Sequence, residues 1–264
     1  MHRRQFLGTS LATAIAATVG KVTAQEPASR SSEFYLIRQY HLQAGPQMKL
    51  TESYFGDALI PALARMGMGP IGAFHLDFGP VAPTFYLLIP ASSVEALAEL
   101  DLRLAQDSTF LTAAEPFWNA PATAPAFLRI ESSLLKAFEG WPRLTLPASS
   151  ASKGKRIFQL RTYESPSNGD HVRKVEMFQA GEFQIFRNAD FHPVFCGDTL
   201  IGPRMPNMTY LLSFGDMGEM NAKWDAFNSD PLWKKLSTSP RYGFEAIVSN
   251  VANLVLGPLG VSQI

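Results

Sequence analysis

The chain has 264 residues, with 23 basic and 23 acidic side chains, no formal net charge and 46% hydrophobic residues. That balance argues against nucleic acid or an anionic membrane as a partner. A single cysteine, Cys196, excludes an intramolecular disulfide.

The chain opens Met1-His2-Arg3-Arg4-Gln5-Phe6-Leu7, and paired arginines before x-Phe-Leu resemble a twin-arginine export signal. The apolar stretch behind them is too short and too weakly hydrophobic to stay as a membrane anchor. Val22-Thr23-Ala24 offers small residues to a signal peptidase, so residues 1–24 are expected to be removed. Removal takes away Arg3, Arg4 and Lys21, leaving 20 basic against 23 acidic groups, a net of −3. The expectation is an exported, periplasmic or extracellular protein without a stable membrane anchor. Residues 25–33 read as a flexible, polar lead-in.

Residues 34–42 alternate and are rich in aromatic and β-branched side chains, which predicts a strand. Residues 45–66 predict a helix, with Leu50, Tyr54, Leu59 and Leu63 at helical spacing. Strands follow at 71–78 and 84–89, joined by the rigid turn Gly79-Pro80-Val81-Ala82-Pro83. Ser92 and Ser93 are N-caps for a helix over 94–106. After a Pro/Ala-rich bend at 119–125 comes a strand at 127–135. Residues 142–155, rich in Pro, Ser and Lys, read as a linker between domains 34–141 and 156–264. The second domain repeats the order: strand 156–164, helix 170–189, strands 191–201 and 207–214, helix 216–228, strand 244–256.

The repeat is also one of residues. Arg38 and Tyr40 recur 123 positions later as Arg161 and Tyr163. Gly79, Pro80 and Pro83 recur as Gly202, Pro203 and Pro206, Phe55 as Phe178, and Asp107 as Asp230. A repeat of this length is a duplicated domain, not a solenoid unit. Each half therefore reads β-α-β-β-α-β, a ferredoxin-like α+β plait with one bare sheet face. Two such faces buried against each other predict a pseudo-twofold, dimeric-type α/β barrel made by one chain.

The motifs Leu36-Ile37-Arg38-Gln39-Tyr40 and Gln159-Leu160-Arg161-Thr162-Tyr163 resemble the start of NIPSNAP domains, as does Asp230-Pro231-Leu232-Trp233. The resemblance spans about residues 34–264 in two copies and is most specific in the second. The first copy reads Asp107-Ser108-Thr109-Phe110 where the second has Asp-Pro-x-Trp. Membership implies the dimeric α/β-barrel superfold. It supplies no agreed catalytic residues, and related barrels include cofactor-free monooxygenases, haem enzymes, isomerases and plain binders, so fold alone does not select a chemistry.

Alternation places Arg38 and Tyr40 on one strand face, and Gln159, Arg161 and Tyr163 on another. With Phe158 and Leu160 assigned to the helix-covered core, these polar side chains are expected to line the barrel interior. Glu131 on the neighbouring strand is the expected partner of Arg38, and Arg204 in the second hairpin turn a rim contact. Arg38, Tyr40, Glu131, Arg161, Tyr163 and Arg204 are thus the expected ligand-binding set. They suit a small anionic or carbonyl-bearing organic molecule. The bland alternative is a set of structural ion pairs and hydrogen-bonded phenols.

Glu182 shares a helical stripe with Val175, Phe178, Ile185 and Phe186, where the first half has Leu59. A carboxyl among apolar side chains has a raised pKa, which makes Glu182 the first candidate for acid–base chemistry. His41, His75, His171 and His192 show no metal-ligand spacing, so no metal and no cofactor are expected. Cys196 reads as a buried thiol. Two functions remain: a binder of a small organic ligand in a polar-lined barrel cavity, or a cofactor-free barrel enzyme of monooxygenase or isomerase type acting on a small aromatic or carbonyl compound. Protein partners are not specified.

Overall fold

A computed structural model describes residues 32–264 of the chain. The export motif and its cleavage site, like most of the lead-in, lie outside these residues.

Strand β1 (Phe34–His41) leads through Gly45, at φ 93, into α1 (Pro46–Ser53). Glycine tolerates that positive φ, and proline at the first turn needs no donor. A π-helical segment, Tyr54–Leu59, then joins α1 to α2 (Ile60–Arg65). Next come β2 (Gly72–Phe78), β3 (Thr84–Ala91), α3 (Val94–Ala98), α4 (Leu100–Leu104), α5 (Ser108–Trp118) and β4 (Arg129–Ala137). A short helix α6 (Ala148–Ser152) precedes the second copy. There β5 (Ile157–Glu164), α7 (Asn168–Met177), a π-helical segment at Phe178–Glu182 and α8 (Phe183–Asn188) repeat the opening. Strands β6 (His192–Ile201) and β7 (Asn207–Phe214) form the second hairpin. Helices α9 (Met217–Ser229), α10 (Pro231–Ser237) and α11 (Phe244–Ile247) precede β8 (Asn250–Pro258).

The eight strands close into one antiparallel barrel in the order β1-β3-β2-β8-β5-β7-β6-β4. Each half contributes four neighbouring strands, and the halves join along two seams, β2 with β8 and β4 with β6. All neighbours are antiparallel, so strands four places apart run the same way. The pseudo-twofold therefore lies along the barrel axis, and both β2–β3 and β6–β7 hairpins open at one end. At the other end the chain terminus seals the barrel. Ile264 is fully buried among the lumen side chains, and Arg156 donates to its carbonyl at 2.7 Å.

Alternation gives each strand two faces but does not say which faces inward, and here the expectation is inverted. The lumen is filled by Tyr35, Ile37, Phe74, Phe158, Leu160 and Leu211 with their neighbours, and the cavity among Ile37, Phe74, Leu160 and Leu211 holds only about 10 Å³. Tyr40 and Tyr163 belong instead to the two cores between sheet and helices. The reason is solvation. A closed barrel lumen offers only other strands' inward side chains, whereas the helices can supply carboxylates and aromatic faces to a buried guanidinium. The polar-lined barrel cavity of the sequence reading is therefore an apolar, packed core.

Several elements were not expected. Helix α5 lies in the stretch ahead of the bend, with Asp107 capping it through Phe110 N and Phe110, Ala114 and Phe117 buried at helical spacing. Asp230 caps α10 in the same way through Leu232 N. The repeated aspartate is thus a pair of N-caps, which explains its constant register. The linker is anchored: Leu144 N donates to Glu33 Oε2 at 2.7 Å and Thr145 N to Val194 O at 2.8 Å.

Candidate functional site

The polar side chains of the second half gather between the sheet and α7, α9 and α11. Arg161 stacks over Trp224 of α9, with 4.3 Å from guanidinium carbon to ring centroid, and donates to Tyr163 Oη at 2.9 Å. Tyr210 Oη donates to the same oxygen at 3.0 Å. Trp224 Nε1 donates to Gln159 Oε1 at 2.7 Å, and Gln159 passes the contact on to Asn253 at 2.9 Å. Burial holds the Tyr210 phenol and the Cys196 thiol well above their ordinary values, so both stay protonated.

Beside them lies a fully buried ion pair. Lys174 Nζ donates to Glu182 Oε1 at 2.6 Å. The ammonium also faces the rings of Phe178, Tyr163 and Phe244 at 4.7, 4.9 and 5.0 Å. An α-helix turns 3.6 residues at a time, so positions eight apart diverge in azimuth. The π-helical segment Phe178–Glu182 takes up an extra residue, which gives Glu182 the azimuth that a seventh residue would have. That local widening puts Lys174 and Glu182 on one face. Burial pushes the Glu182 carboxyl above its usual range against the opposing pull of Lys174 and Arg161.

The expected set is therefore divided. Arg161, Tyr163 and Glu182 share this network. Arg38 lies in the first half, where both its terminal nitrogens bond Asp101 of α4 at 2.9 Å. Its expected partner Glu131 instead accepts from Arg129 at 2.8 Å and lies 3.5 Å from His41. The strand register accounts for this: Glu131 is opposite Gln39, on the other face from Arg38. Tyr40 packs edge-on against Phe55 at 5.0 Å. Arg204, at φ 59, reaches Glu164 at 3.5 Å on the hairpin end of the barrel.

These seven side chains do not line the larger clefts among the described residues, but α7 lines one with another face. His171, Val175 and Gln179 of that helical stretch, Asp198 of β6 and Tyr242 enclose about 510 Å³. His171 Nε2 meets Asp198 Oδ1 at 2.6 Å, while its buried Nδ1 has no partner among the described residues. Glu176, at the rim, is held by Arg241 at 3.1 Å. Ser167 caps α7 through Asp170 N and so fixes the turn that carries His171. Sequence reasoning gave the histidines little weight because they are scattered without metal-ligand spacing, and Asp198, 27 residues from His171, is not marked as its partner by any local pattern. The available signal was the repeat itself, since the first half has Met48 and His75 at these two positions. A separate cleft of about 340 Å³ lies under the linker, beside Trp141, His192 and Glu219. Among the described residues, no group of three or more His, Cys, Asp or Glu is placed to hold a metal ion.

Residues 158–263 match the NIPSNAP family profile, so the second half carries a NIPSNAP domain. A comparison with curated proteins gives no match. Among solved structures, a candidate monooxygenase from Lactobacillus acidophilus NCFM is similar at TM-score 0.57 and 12% identity, over 86% of this chain and 94% of that one. A candidate monooxygenase from Fusobacterium nucleatum subsp. nucleatum is similar at TM-score 0.57 and 9% identity, over 87% and 94%. An anthrone oxidase-like protein follows at TM-score 0.51 and 10% identity, over 88% and 93%. At such identities these likenesses concern the fold.

Proposed function

We propose that the protein binds a small hydroxylated aromatic or comparable organic molecule in the second-half cleft, with the ligand's polar group against the Asp198 carboxylate that His171 holds. The observation that carries this reading is the 2.6 Å contact of His171 with Asp198 in the wall of a cleft of about 510 Å³. That volume suits a small-molecule site, and Val172, Val175 and Ala180 supply apolar wall beside Gln179 and Tyr242. The packed lumen leaves no comparable room. The test uses 1-naphthol as probe in a thermal-shift titration. Wild type is expected to gain melting temperature saturably with 1-naphthol, and His171→Gln to lose that gain. An equal gain in both proteins overturns the site.

A second reading, a cofactor-free enzyme, is favoured by the same pair. An imidazole oriented by a carboxylate is a proton-transfer unit, and the proteins sharing this fold include candidate monooxygenases and an anthrone oxidase-like protein. In this reading the His171–Asp198 pair, through its exposed carboxylate, and not Glu182, exchanges the proton, because Glu182 does not line the cleft. Oxygen uptake with anthrone in metal-depleted buffer checks it. Uptake that falls in Asp198→Asn supports an enzyme, and no uptake by wild type leaves the binder.

Export belongs to the proposal too, supported by the Arg3-Arg4-Gln5-Phe6-Leu7 sequence and Ala24. The expected result is a chain beginning at Gln25 in the exported fraction, read by intact mass. A full-length chain retained in the cytoplasm overturns it.

A further inference from the structure

The pseudo-twofold relates the His171 cleft to another at the opposite seam, where β2 meets β8. This one encloses about 570 Å³ and is lined by Met48, Lys49 and Glu52 of α1, His75 of β2 and Pro258 of β8. Met48 stands where the second half has His171, and His75 where it has Asp198. Each cleft thus keeps one histidine, delivered by the helix in one half and by the strand in the other. Each histidine also has a carboxylate. Asp77 Oδ1 lies 3.3 Å from His75 Nδ1.

The orientation differs in a way that matters. In the second half the carboxylate takes Nε2, whereas here it takes Nδ1 of a ring whose side chain is 38% exposed. Nε2 is therefore the nitrogen left for a ligand. The ring lies against β8 at Gly257, its register partner. A Cβ there would collide with His75 Cε1 and Nε2, so a side chain at 257 would evict the ring. The other seam has Lys136 opposite Asp198. Across the cleft, Lys49 is exposed and has no ion-pair partner among the described residues. Leu76, Phe85 and Leu259 supply apolar wall.

We propose that this first-half cleft is a second binding site, for a small aromatic monocarboxylate. Lys49 pairs with the carboxylate, His75 bonds it through Nε2, and the apolar wall takes the ring. Glu52 on the same helix disfavours a second negative charge. The site uses none of the residues of the His171 cleft and stands or falls separately from it.

The test is an NMR titration of the histidine ring signals of the whole chain with sodium benzoate to about 10 mM, a range that detects millimolar affinity. His75→Gln assigns the His75 signal. The expected result is a saturable shift of that signal, weakened about tenfold or more by Lys49→Ala. It should be absent with neutral benzamide and retained in His171→Gln. Lys49 is exposed, so its removal leaves the fold intact. No saturable shift of His75, an undiminished shift in Lys49→Ala, or an equal response to benzamide each overturns the proposal.

Discussion

Replacing Lys174 by Met, or Glu182 by Leu, is expected to cost about 3–5 kcal/mol of folding stability, and the K174M/E182L double variant to recover most of it. Both side chains are almost completely shielded from solvent, at 0% and 4% side-chain exposure, and they meet at 2.6 Å. Either single change leaves an unpaired charge in a core of Phe178, Tyr163 and Phe244 rings, where no water can repay its desolvation. The double change removes both charges and keeps the volume. The first half already shows an uncharged solution, because Thr51 and Leu59 occupy the two positions and both are fully buried. Urea unfolding of the four proteins measures the coupling. Single variants that lose less than about 1 kcal/mol would show that the pair is not the closed unit described.

The same cycle carries a pH dependence with a definite sign. Burial raises the folded-state pKa of Glu182 above the ordinary carboxylate value of about 4.5. Above that value the folded state holds a proton that the unfolded state has released. This group's contribution to stability is therefore full below about 4.5 and falls as pH rises through the higher folded value. Wild type should lose stability relative to K174M/E182L over that rise. A difference that is flat with pH, or grows, contradicts a raised carboxyl.

Phe158→Ala is expected to cost about 3–5 kcal/mol, since it empties a well-packed site that cannot collapse. Phe158 is fully buried in the lumen, its ring edge-on to Phe74 at 4.8 Å, with the Arg156 guanidinium 5.8 Å above it. Strands hydrogen-bonded around a closed ring cannot move inward to fill the void. Denaturant unfolding measures the loss. A loss under about 1 kcal/mol would mean that the lumen is loosely filled and would reopen it as a ligand site.

Much of the architecture was legible because the informative residues act locally. Gly79-Pro80 and Gly202-Pro203 mark hairpins wherever they fall, and Asp107 and Asp230 cap helices through their own neighbours. A repeat of such punctuation implies two copies of one plait, and two bare sheets imply a barrel. Helix α5 and the π-helical segments were overlooked although their residues were in view. An interruption such as Phe178–Glu182 leaves the apolar stripe almost unchanged and shows only in which partners it aligns.

The sequence by itself determined the duplicated β-α-β-β-α-β order, the closed antiparallel barrel that follows from it, the burial of Cys196, and an acid on the apolar stripe of the second-half helix. Tertiary structure decided the rest. It decided which strand face turns inward, because both faces are covered and only the helices bring Asp101 and Trp224 to the arginines. It also decided where the clefts lie, because His171 and Asp198 meet only when α7 packs on β6, and His75 and Gly257 only when the seam between the halves closes. Contacts of that kind depend on strand register across the whole barrel, and no local spacing in the chain encodes them.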